Sequence, residues 1–149
     1  METDLSALFE EQRSNQVDWH GPLHSLYELP TNVAEVTVRF RQFTAVPTQG
    51  LRLKVRGGSL EVASESGADI FLWTDTAPAS VTARVRWKAK SPRSLRIWNT
   101  WKVNGVAHAW FGNAGMRIST EPAGSLLLRC SDGVGGPDFD DLVAEVSLT

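Results

Sequence analysis

From residue 31 onward, apolar and polar side chains alternate along the chain with a period of two. The clearest runs cover residues 36–40, 51–55 and 81–87, where Thr, Arg and Lys stand between the apolar positions. Successive side chains of a strand point to opposite faces of a sheet, so these runs predict half-buried β-strands. Short apolar runs between Gly, Pro and Asn turn signals predict further strands over 59–63, 69–74, 94–98, 106–111, 115–119, 125–130 and 141–148.

These nine or ten predicted strands follow one another without intervening helical patterns. Regular short strands of this kind pair antiparallel, and such a number in one domain packs best as two sheets. We therefore predict an all-β fold, a single-domain antiparallel β-sandwich of jelly-roll or Greek-key type, over residues 31–149. A chain of 149 residues has the length of one domain.

Residues 1–30 predict a short N-terminal helix followed by a loop. The helix is expected over 3–13, with Thr3 or Asp4 accepting N–H hydrogen bonds at its start. Its apolar stripe consists of Leu5, Leu8 and Phe9. The segment has no basic region followed by a long apolar stretch, which predicts a cytoplasmic protein, with non-classical export as the alternative. Apolar runs of only a few residues predict no membrane insertion.

Charge is segregated along the chain. Residues 131–149 carry five acids and no base, so the first 130 residues are net +3 although the whole chain is −2. The single cysteine, Cys130, cannot form an internal disulfide, which fits a reducing compartment. We expect it to be a small buried apolar side chain.

Four of these acids lie within ten residues on a Gly/Pro-rich loop: Asp132, Asp138, Asp140 and Asp141. Crowded carboxylates repel one another, and a cation among them removes that penalty. Calcium takes six to eight oxygen ligands, so this loop predicts a calcium site. The alternative is turn chemistry, in which Asp side chains bind nearby backbone N–H groups and fix a corner.

The sequence Asp-Phe-Asp-Asp at 138–141, followed by an alternating apolar strand, resembles the Asp-Tyr-Asn-Asp segment of small two-calcium bacterial lectins that bind fucose and mannose. By this resemblance, the calcium ligands are Asp132, Asp138, Asp140 and Asp141, and sugar hydroxyls complete the metal shell. Gly136 and Pro137 replace an Asp and an Asn of that family, and Thr149 replaces its terminal Gly, which implies one ion at most. The same strand also resembles the C-terminal strand of uncharacterised bacterial β-sandwich proteins.

Six tryptophans are a second candidate for chemistry, because an indole offers a large apolar face that stacks on sugar rings and on bases. Several of them lie in or beside predicted loops. We predict a ligand-binding surface formed by Trp98, Asn99, Trp101, His108, Trp110 and Asn113. The alternative is that these tryptophans pack in the core or between the sheets, as they do in many sandwiches.

Residues 80–102 contain seven bases and no acid: Arg84, Arg86, Lys88, Lys90, Arg93, Arg96 and Lys102. On an alternating strand, Arg84, Arg86 and Lys88 share the solvent face and form a cationic stripe that could hold an anionic partner. A sequence pI of 5.9 makes nucleic acid an unlikely ligand. A solvated strand face that discourages edge pairing is the alternative.

No catalytic order of Ser, His and Asp, no Cys/His pair and no phosphate-binding glycine loop is recognised, so we expect no enzymatic activity. The function predicted from sequence is a calcium-dependent, lectin-like carbohydrate-binding module. The alternative is a homo-oligomeric interaction or structural protein whose basic face binds an anionic partner.

Overall fold

The computed structural model describes residues 4–149, which form two packed antiparallel sheets and one short helix. In spatial order, the large sheet contains β1 (Gln16–Asp18), β2 (Pro22–His24), β12 (Gly115–Thr120), β13 (Leu126–Ser131), β14 (Leu142–Leu148), β4 (Glu35–Phe43), β9 (Ser80–Trp87), β6 (Gly58–Val62) and β7 (Glu65–Gly67). The small sheet contains β11 (Val106–His108), β10 (Ser94–Val103), β5 (Thr48–Arg56) and β8 (Asp69–Trp73). A fifth strand, β3 (Tyr27–Leu29), pairs with the beginning of β10.

The predicted β-sandwich is confirmed, and each of the ten predicted strands corresponds to a strand of the structure. The three alternating runs become β4, β5 and β9. Four further strands, β1, β2, β3 and β7, have three residues each, which is too short for a period of two to be recognised. The predicted strand over 106–111 ends at His108, because the chain turns sharply through Trp110.

The core lies between the inner faces of the two sheets. Alternate residues of β5 and of β14 are fully buried there, including Leu51, Leu53, Leu142 and Val146. Burying such a side chain contributes about 1.5–3 kcal/mol, so this layer holds the sandwich together. Cys130 is a free, buried member of the same core, as expected.

The helix α1 (Leu5–Gln12) packs against β1 and β2 through a small second core. Leu5 is buried with Val17 and Leu23, and the stripe of Leu8 and Phe9 packs beside them. The N-terminus of α1 is not capped in the way that the sequence predicts. Thr3 lies outside the described residues, and Asp4 makes no side-chain cap hydrogen bond. The N–H of Leu5 instead donates to a side-chain oxygen of a distant loop, Asn113 Oδ1, at 3.1 Å. In residues 4–149, no helix is long and apolar enough to cross a membrane.

Candidate functional site

The loop between β13 and β14, which carries the acidic cluster, begins at a buried carboxylate. Asp132 is 2% exposed, and it accepts hydrogen bonds from the Val134 N–H at 2.9 Å and from Gln49 Nε2 at 2.8 Å. The N–H of Asp132 donates to Oδ2 of Asp141 at 3.0 Å. A carboxylate removed from water requires donors of this kind. These bonds tie the start of the loop to the small sheet and to the start of β14.

The remaining acids of the loop are bonded locally. Asp138 Oδ1 accepts from the Asp140 N–H at 2.9 Å, and the Asp138 N–H donates to Ser131 Oγ at 3.1 Å. Asp140 Oδ1 accepts from Arg129 Nη1 at 2.6 Å. Bonds from an Asp side chain to the backbone two residues on are typical of turns. Each of the four carboxylates therefore has a donor from the protein itself.

Within residues 4–149, no group of three or more His, Cys, Asp or Glu side chains is placed to hold a metal ion. Asp132 and Asp138 each accept the N–H of the residue two positions further on, which is the hydrogen bond of an Asx-type turn. The arrangement matches the alternative of turn chemistry. Calcium binding by Asp132, Asp138, Asp140 and Asp141 stays a prediction.

The carboxyl of Asp141 has a raised pKa, which is unusual for an aspartate in a turn. Burial raises its pKa to about 6, and the charges of Asp132 and Asp138 act in the same direction, while the hydrogen bond from the Asp132 N–H opposes them. Burial likewise raises the pKa of the neighbouring Cys130 thiol well above its ordinary value. A thiol that resists ionisation is a poor nucleophile. Cys130 is therefore a packing residue.

Two of the predicted ligand-binding residues lie in the interior. Asn99 is buried, and its Nδ2 donates to the Ser131 carbonyl oxygen at 2.9 Å. Trp101 is also buried, and its ring lies so close to Gly133 that a Cβ there would be 2.4 Å from Cζ2. Both side chains pack β10 against the acidic loop, so the structure does not bring them to a ligand-accessible surface.

Asn113 and His108 lie nearer the surface but do not converge. Asn113 Oδ1 accepts from the Leu5 N–H, and Nδ2 donates to the Gly135 carbonyl oxygen at 2.9 Å, so its amide joins α1 to the acidic loop. His108 is exposed, and its ring is inclined by 22° to that of Trp101, with centroids 6.2 Å apart. Of the six predicted residues, the structure places Trp98 and Trp110 together.

Trp98 and Trp110 form a two-layer stack on the outer face of the small sheet. Their ring centroids are 4.9 Å apart, with 30° between the planes. Trp98, the lower ring, is only 3% exposed, whereas Trp110 is 51% exposed. Trp110 has a φ of 58°, which bulky residues rarely adopt, and its Nε1 donates to the Ser25 carbonyl oxygen at 2.9 Å. One face of the Trp110 ring is thus packed, and its orientation is fixed.

A groove of about 720 Å³ runs between α1 and the segment that carries Trp110. Its lining combines aromatic rings with charged and amide side chains, including Phe9, Arg13, Asn15, Arg96, Trp110 and Phe111. None of the four loop carboxylates lines it. Seven of its twelve lining residues are polar or charged, so the groove is more polar than a usual small-ligand pocket.

The outer face of the small sheet continues from this stack as a layer of aromatic and cationic side chains. Phe71 and Trp73 of β8 lie parallel, with 6° between their planes and centroids 5.5 Å apart. The Arg52 guanidinium lies between Phe71 and Trp98, 4.6 Å and 5.2 Å from the two ring centroids. Lys102 Nζ lies 4.3 Å from the Trp73 ring centroid. Cations over aromatic faces at such distances are attracted by the ring quadrupole.

The predicted cationic stripe of β9 lies on the opposite side of the molecule, on the outer face of the large sheet. Arg84 and Arg86 are exposed there, as expected. Arg86 Nε donates to Glu61 at 2.8 Å, and Arg84 pairs in the sheet register with Glu35 and with Glu61. Carboxylates from neighbouring strands therefore interrupt the positive charge. These carboxylates lie outside residues 80–102, so the sequence of that segment does not reveal them.

The predicted ligand-binding residues did not include Arg52, Phe71 and Trp73, which lie side by side on this face. The signal was available, because all three fall on the outward parity of β5 and β8, opposite Leu51, Leu53 and Leu72. The pairing of β5 with both β8 and β10 brings these residues into one row, and the sequence pattern does not indicate that pairing.

Comparison of the chain with protein-family models, with curated proteins and with solved structures gives no match. The resemblance of residues 138–141 to the calcium-dependent lectins therefore stays a prediction. The fold and the geometry of the Trp110 groove are the observations from which a function can be inferred.

Proposed function

We propose that the protein is a carbohydrate-binding module whose ligand lies in the groove beside Trp110. The observation that supports this proposal is the open face of the Trp110 indole. That ring is half exposed, its other face rests on Trp98, and its N–H is already used by Ser25. An incoming ligand therefore meets a flat apolar ring of fixed orientation, which is what the apolar face of a sugar ring requires.

The backbone at Trp110 supports a binding role. A non-glycine residue held at positive φ costs on the order of 1–3 kcal/mol, and it persists where the surroundings over-determine it. Here the hydrogen bond to Ser25 and the contact with Trp98 do so. Such residues concentrate at ligand sites, where a side chain held in place before binding loses little entropy on binding.

The polar side chains of the groove fit a ligand rich in hydroxyl groups. Arg13 and Arg96 can only donate hydrogen bonds, the carboxylate of Glu10 can only accept them, and Asn15 can do both. A sugar hydroxyl both donates and accepts, so it can use each of these groups. A purely apolar ligand would leave them unpaired at a cost of about 1–3 kcal/mol each if desolvated.

This proposal does not use calcium. In the calcium-dependent form that the sequence predicts, the acidic loop would contact the sugar, but Asp132, Asp138, Asp140 and Asp141 lie outside the groove lining. The anionic partner of the alternative prediction gains no specific support either, because Glu61 and Glu35 interrupt the stripe of Arg84 and Arg86.

Calorimetric titration with neutral oligosaccharides built on glucose, galactose, mannose or N-acetylglucosamine tests the proposal. We expect saturable binding to at least one series, and at least a tenfold loss of affinity in Trp110→Ala. The matched control is Phe43→Ala, which removes another exposed aromatic ring, at the end of β4. Equal affinity in the Trp110 variant and the wild type, or no binding to any series, would contradict the proposal.

A further inference from the structure

Five cationic side chains lie on the outer face of the small sheet. They occupy outward positions of two neighbouring strands, between the residues that enter the core: Arg52, Lys54 and Arg56 on β5, and Arg96 and Lys102 on β10. Lys54 stands directly opposite Arg96 in the sheet register. Like charges in directly opposed positions repel each other, and an anion between them would remove that repulsion.

Two of the five cations are paired with carboxylates. Arg52 Nε donates to Asp69 Oδ1 at 2.8 Å, and Arg96 Nε donates to Glu28 Oε1 at 3.1 Å. In residues 4–149, no ion pair includes any of the other three cations, Lys54, Arg56 and Lys102. This face therefore presents an excess of positive charge, although the whole chain is net −2. Such an excess attracts an approaching anion to this side of the molecule.

The aromatic rings of this face hold two of the cations in place. The Arg52 guanidinium lies 4.6 Å from the Phe71 ring centroid and 5.2 Å from that of Trp98. Lys102 Nζ lies 4.3 Å from the Trp73 ring centroid. Cation–π contacts of this kind restrict long side chains that would otherwise lose entropy on binding an anion. The rings therefore position charge for a ligand instead of forming an open platform for it.

The cations are spread over a greater length than a small anion can span. Lys102 is the register partner of Thr48, which lies eight positions along β5 from Arg56. At 3.3 Å per residue, that separation is about 26 Å. Charges of exposed groups are screened beyond about 8 Å at physiological ionic strength. A single small anion would therefore meet one part of the face, whereas a polymer with charges along its length would meet all of it.

Arg96 joins this face to the Trp110 groove. Its side chain lines the groove together with Trp110, and it is the register partner of Lys54 on β5. Trp110 also rests on Trp98, the register partner of Arg52. A sugar chain that is bound on Trp110 and leaves the groove across β10 would thus come next to the cations of β5.

The arrangement of rings and charges favours an acidic polysaccharide over single-stranded nucleic acid. Nucleic-acid grooves present aromatic rings on which successive bases stack. Here Phe71 and Trp73 stack on each other beneath Arg52 and Lys102, and Trp98 is buried. An acidic polysaccharide does not need a row of open rings. One apolar face for a sugar ring, at the groove, and cations for its acidic groups are sufficient.

We infer that the ligand of the Trp110 groove is an acidic polysaccharide, whose carboxylate or sulfate groups pair with Lys54, Arg56 and Lys102 on the outer face of the small sheet. This inference rests on the proposed function, and it adds the charge of the ligand and a second contact surface. It predicts that acidic groups increase the affinity for a sugar chain, and that salt weakens this gain.

Calorimetric titration with hexasaccharides of glucose, galactose and mannose tests the inference, each in its neutral form and with its C6 hydroxymethyl groups oxidised to carboxylates. For the wild type, we expect the acidic form of at least one of them to bind at least tenfold more tightly than its neutral form at low salt. Lys54→Gln/Arg56→Gln/Lys102→Gln should lose that gain and keep the affinity for the neutral form within about twofold. Lys54→Gln/Arg56→Gln serves if the triple variant fails to fold, as judged by its thermal melt.

The control variant is Arg39→Gln/Arg84→Gln/Arg86→Gln, which removes the same charge from exposed positions on the outer face of the large sheet. It should keep the full gain for the acidic form. A gain that falls equally in both triple variants would show that net charge, and not the small sheet, attracts the ligand, and it would overturn the inference.

The remaining outcomes separate the inference from the proposed function. Equal affinity of the wild type for the acidic and neutral forms, or a gain that survives the loss of Lys54, Arg56 and Lys102, overturns the inference and leaves the Trp110 site intact. Unchanged affinity of Trp110→Ala for the neutral form overturns the proposed function itself. A single-stranded oligonucleotide that binds more tightly than every acidic hexasaccharide, with affinity that falls steeply with salt, would also overturn the inference.

Discussion

The indole of Trp110 lies over the indole of Trp98, with ring centroids 4.9 Å apart. This contact explains why Trp98, on the outward face of β10, is nevertheless buried. The Trp98 N–H is also buried, and it has no acceptor among the described residues. An unpaired buried donor of this kind costs about 1–3 kcal/mol.

The strained backbone at Trp110 predicts that a glycine substitution there is less destabilising than an alanine substitution, the reverse of the order usual in regular structure. Trp110→Ala and Trp110→Gly both remove the ring that covers Trp98, but only alanine keeps a side chain at a φ of 58°. Glycine adopts positive φ without steric cost. We expect Trp110→Gly to be at least as stable as Trp110→Ala, by up to about 1 kcal/mol, in urea unfolding. A clearly more stable alanine variant would show that the backbone there is not strained.

Gly50 predicts a steric effect at the Trp73 ring. A Cβ at residue 50 would lie 2.5 Å from the Trp73 ring and 2.9 Å from the Leu72 carbonyl oxygen, and the backbone atom cannot move away cheaply. We expect Gly50→Ala to lower the free energy of unfolding by about 1–3 kcal/mol, as overpacking does.

The matched control for this measurement is Gly136→Ala. Gly136 lies in the acidic loop, where an added Cβ would meet no atom within 4 Å. Its unfolding free energy should stay close to that of the wild type. If both alanine variants unfold alike, Trp73 does not lie flat on β5.

Asp141 predicts a pH dependence of stability with a definite sign. Its folded-state pKa of about 6 lies above the ordinary value of 3.8, so the folded protein binds this proton more tightly than the unfolded chain does. The carboxyl therefore destabilises the fold increasingly as pH rises from about 4 to 6, and the full penalty is present above 6. Asp141→Asn carries no charge, and its Oδ1 can still accept from the Asp132 N–H.

We expect Asp141→Asn to be more stable than the wild type at pH 7, by about 1–3 kcal/mol, and similar to it at pH 4. Urea unfolding at half-unit pH steps measures the difference. Asp75→Asn, at an exposed aspartate outside the loop, is the control and should show no such trend. A difference that is constant from pH 4 to pH 7 would contradict the burial of the Asp141 charge.

The hydrogen bonds of the acidic loop also predict the response to calcium. If turn chemistry alone accounts for these contacts, the melting temperature should be the same with calcium and with chelator. The variant pair Asp138→Asn/Asp141→Asn should respond in the same way. A calcium-dependent rise that this pair abolishes would instead establish the metal site that the lectin resemblance implies.

The period-two pattern was sufficient to predict the sandwich, because burial on one face leaves its mark on every second residue of β4, β5 and β9. The site was only partly predictable. Trp98 and Trp101 are three residues apart on β10 and therefore face opposite sides of the small sheet, which separates them into an outer layer and an inner core. The contact of Trp110 with Trp98 depends on a chain reversal after β11, which no local pattern indicates.

The contacts of the acidic loop were likewise not predictable from its own sequence. Its composition is equally compatible with a cation site and with a hydrogen-bonded turn. The deciding contact comes from a distant residue, since Gln49 lies on β5. Such partners are set by the packing of the sheets, so the sequence of the loop alone could not distinguish the two.

Ligand binding at Trp110 is tested most directly by the response of the tryptophan indole N–H signals in a ¹H–¹⁵N NMR titration with the tightest-binding neutral oligosaccharide. Trp110→Phe and Trp101→Phe assign their own signals by their disappearance. We expect the Trp110 signal to shift on saturation, while the signal of buried Trp101 stays in place. Saturable binding that leaves the Trp110 signal unmoved would contradict this expectation.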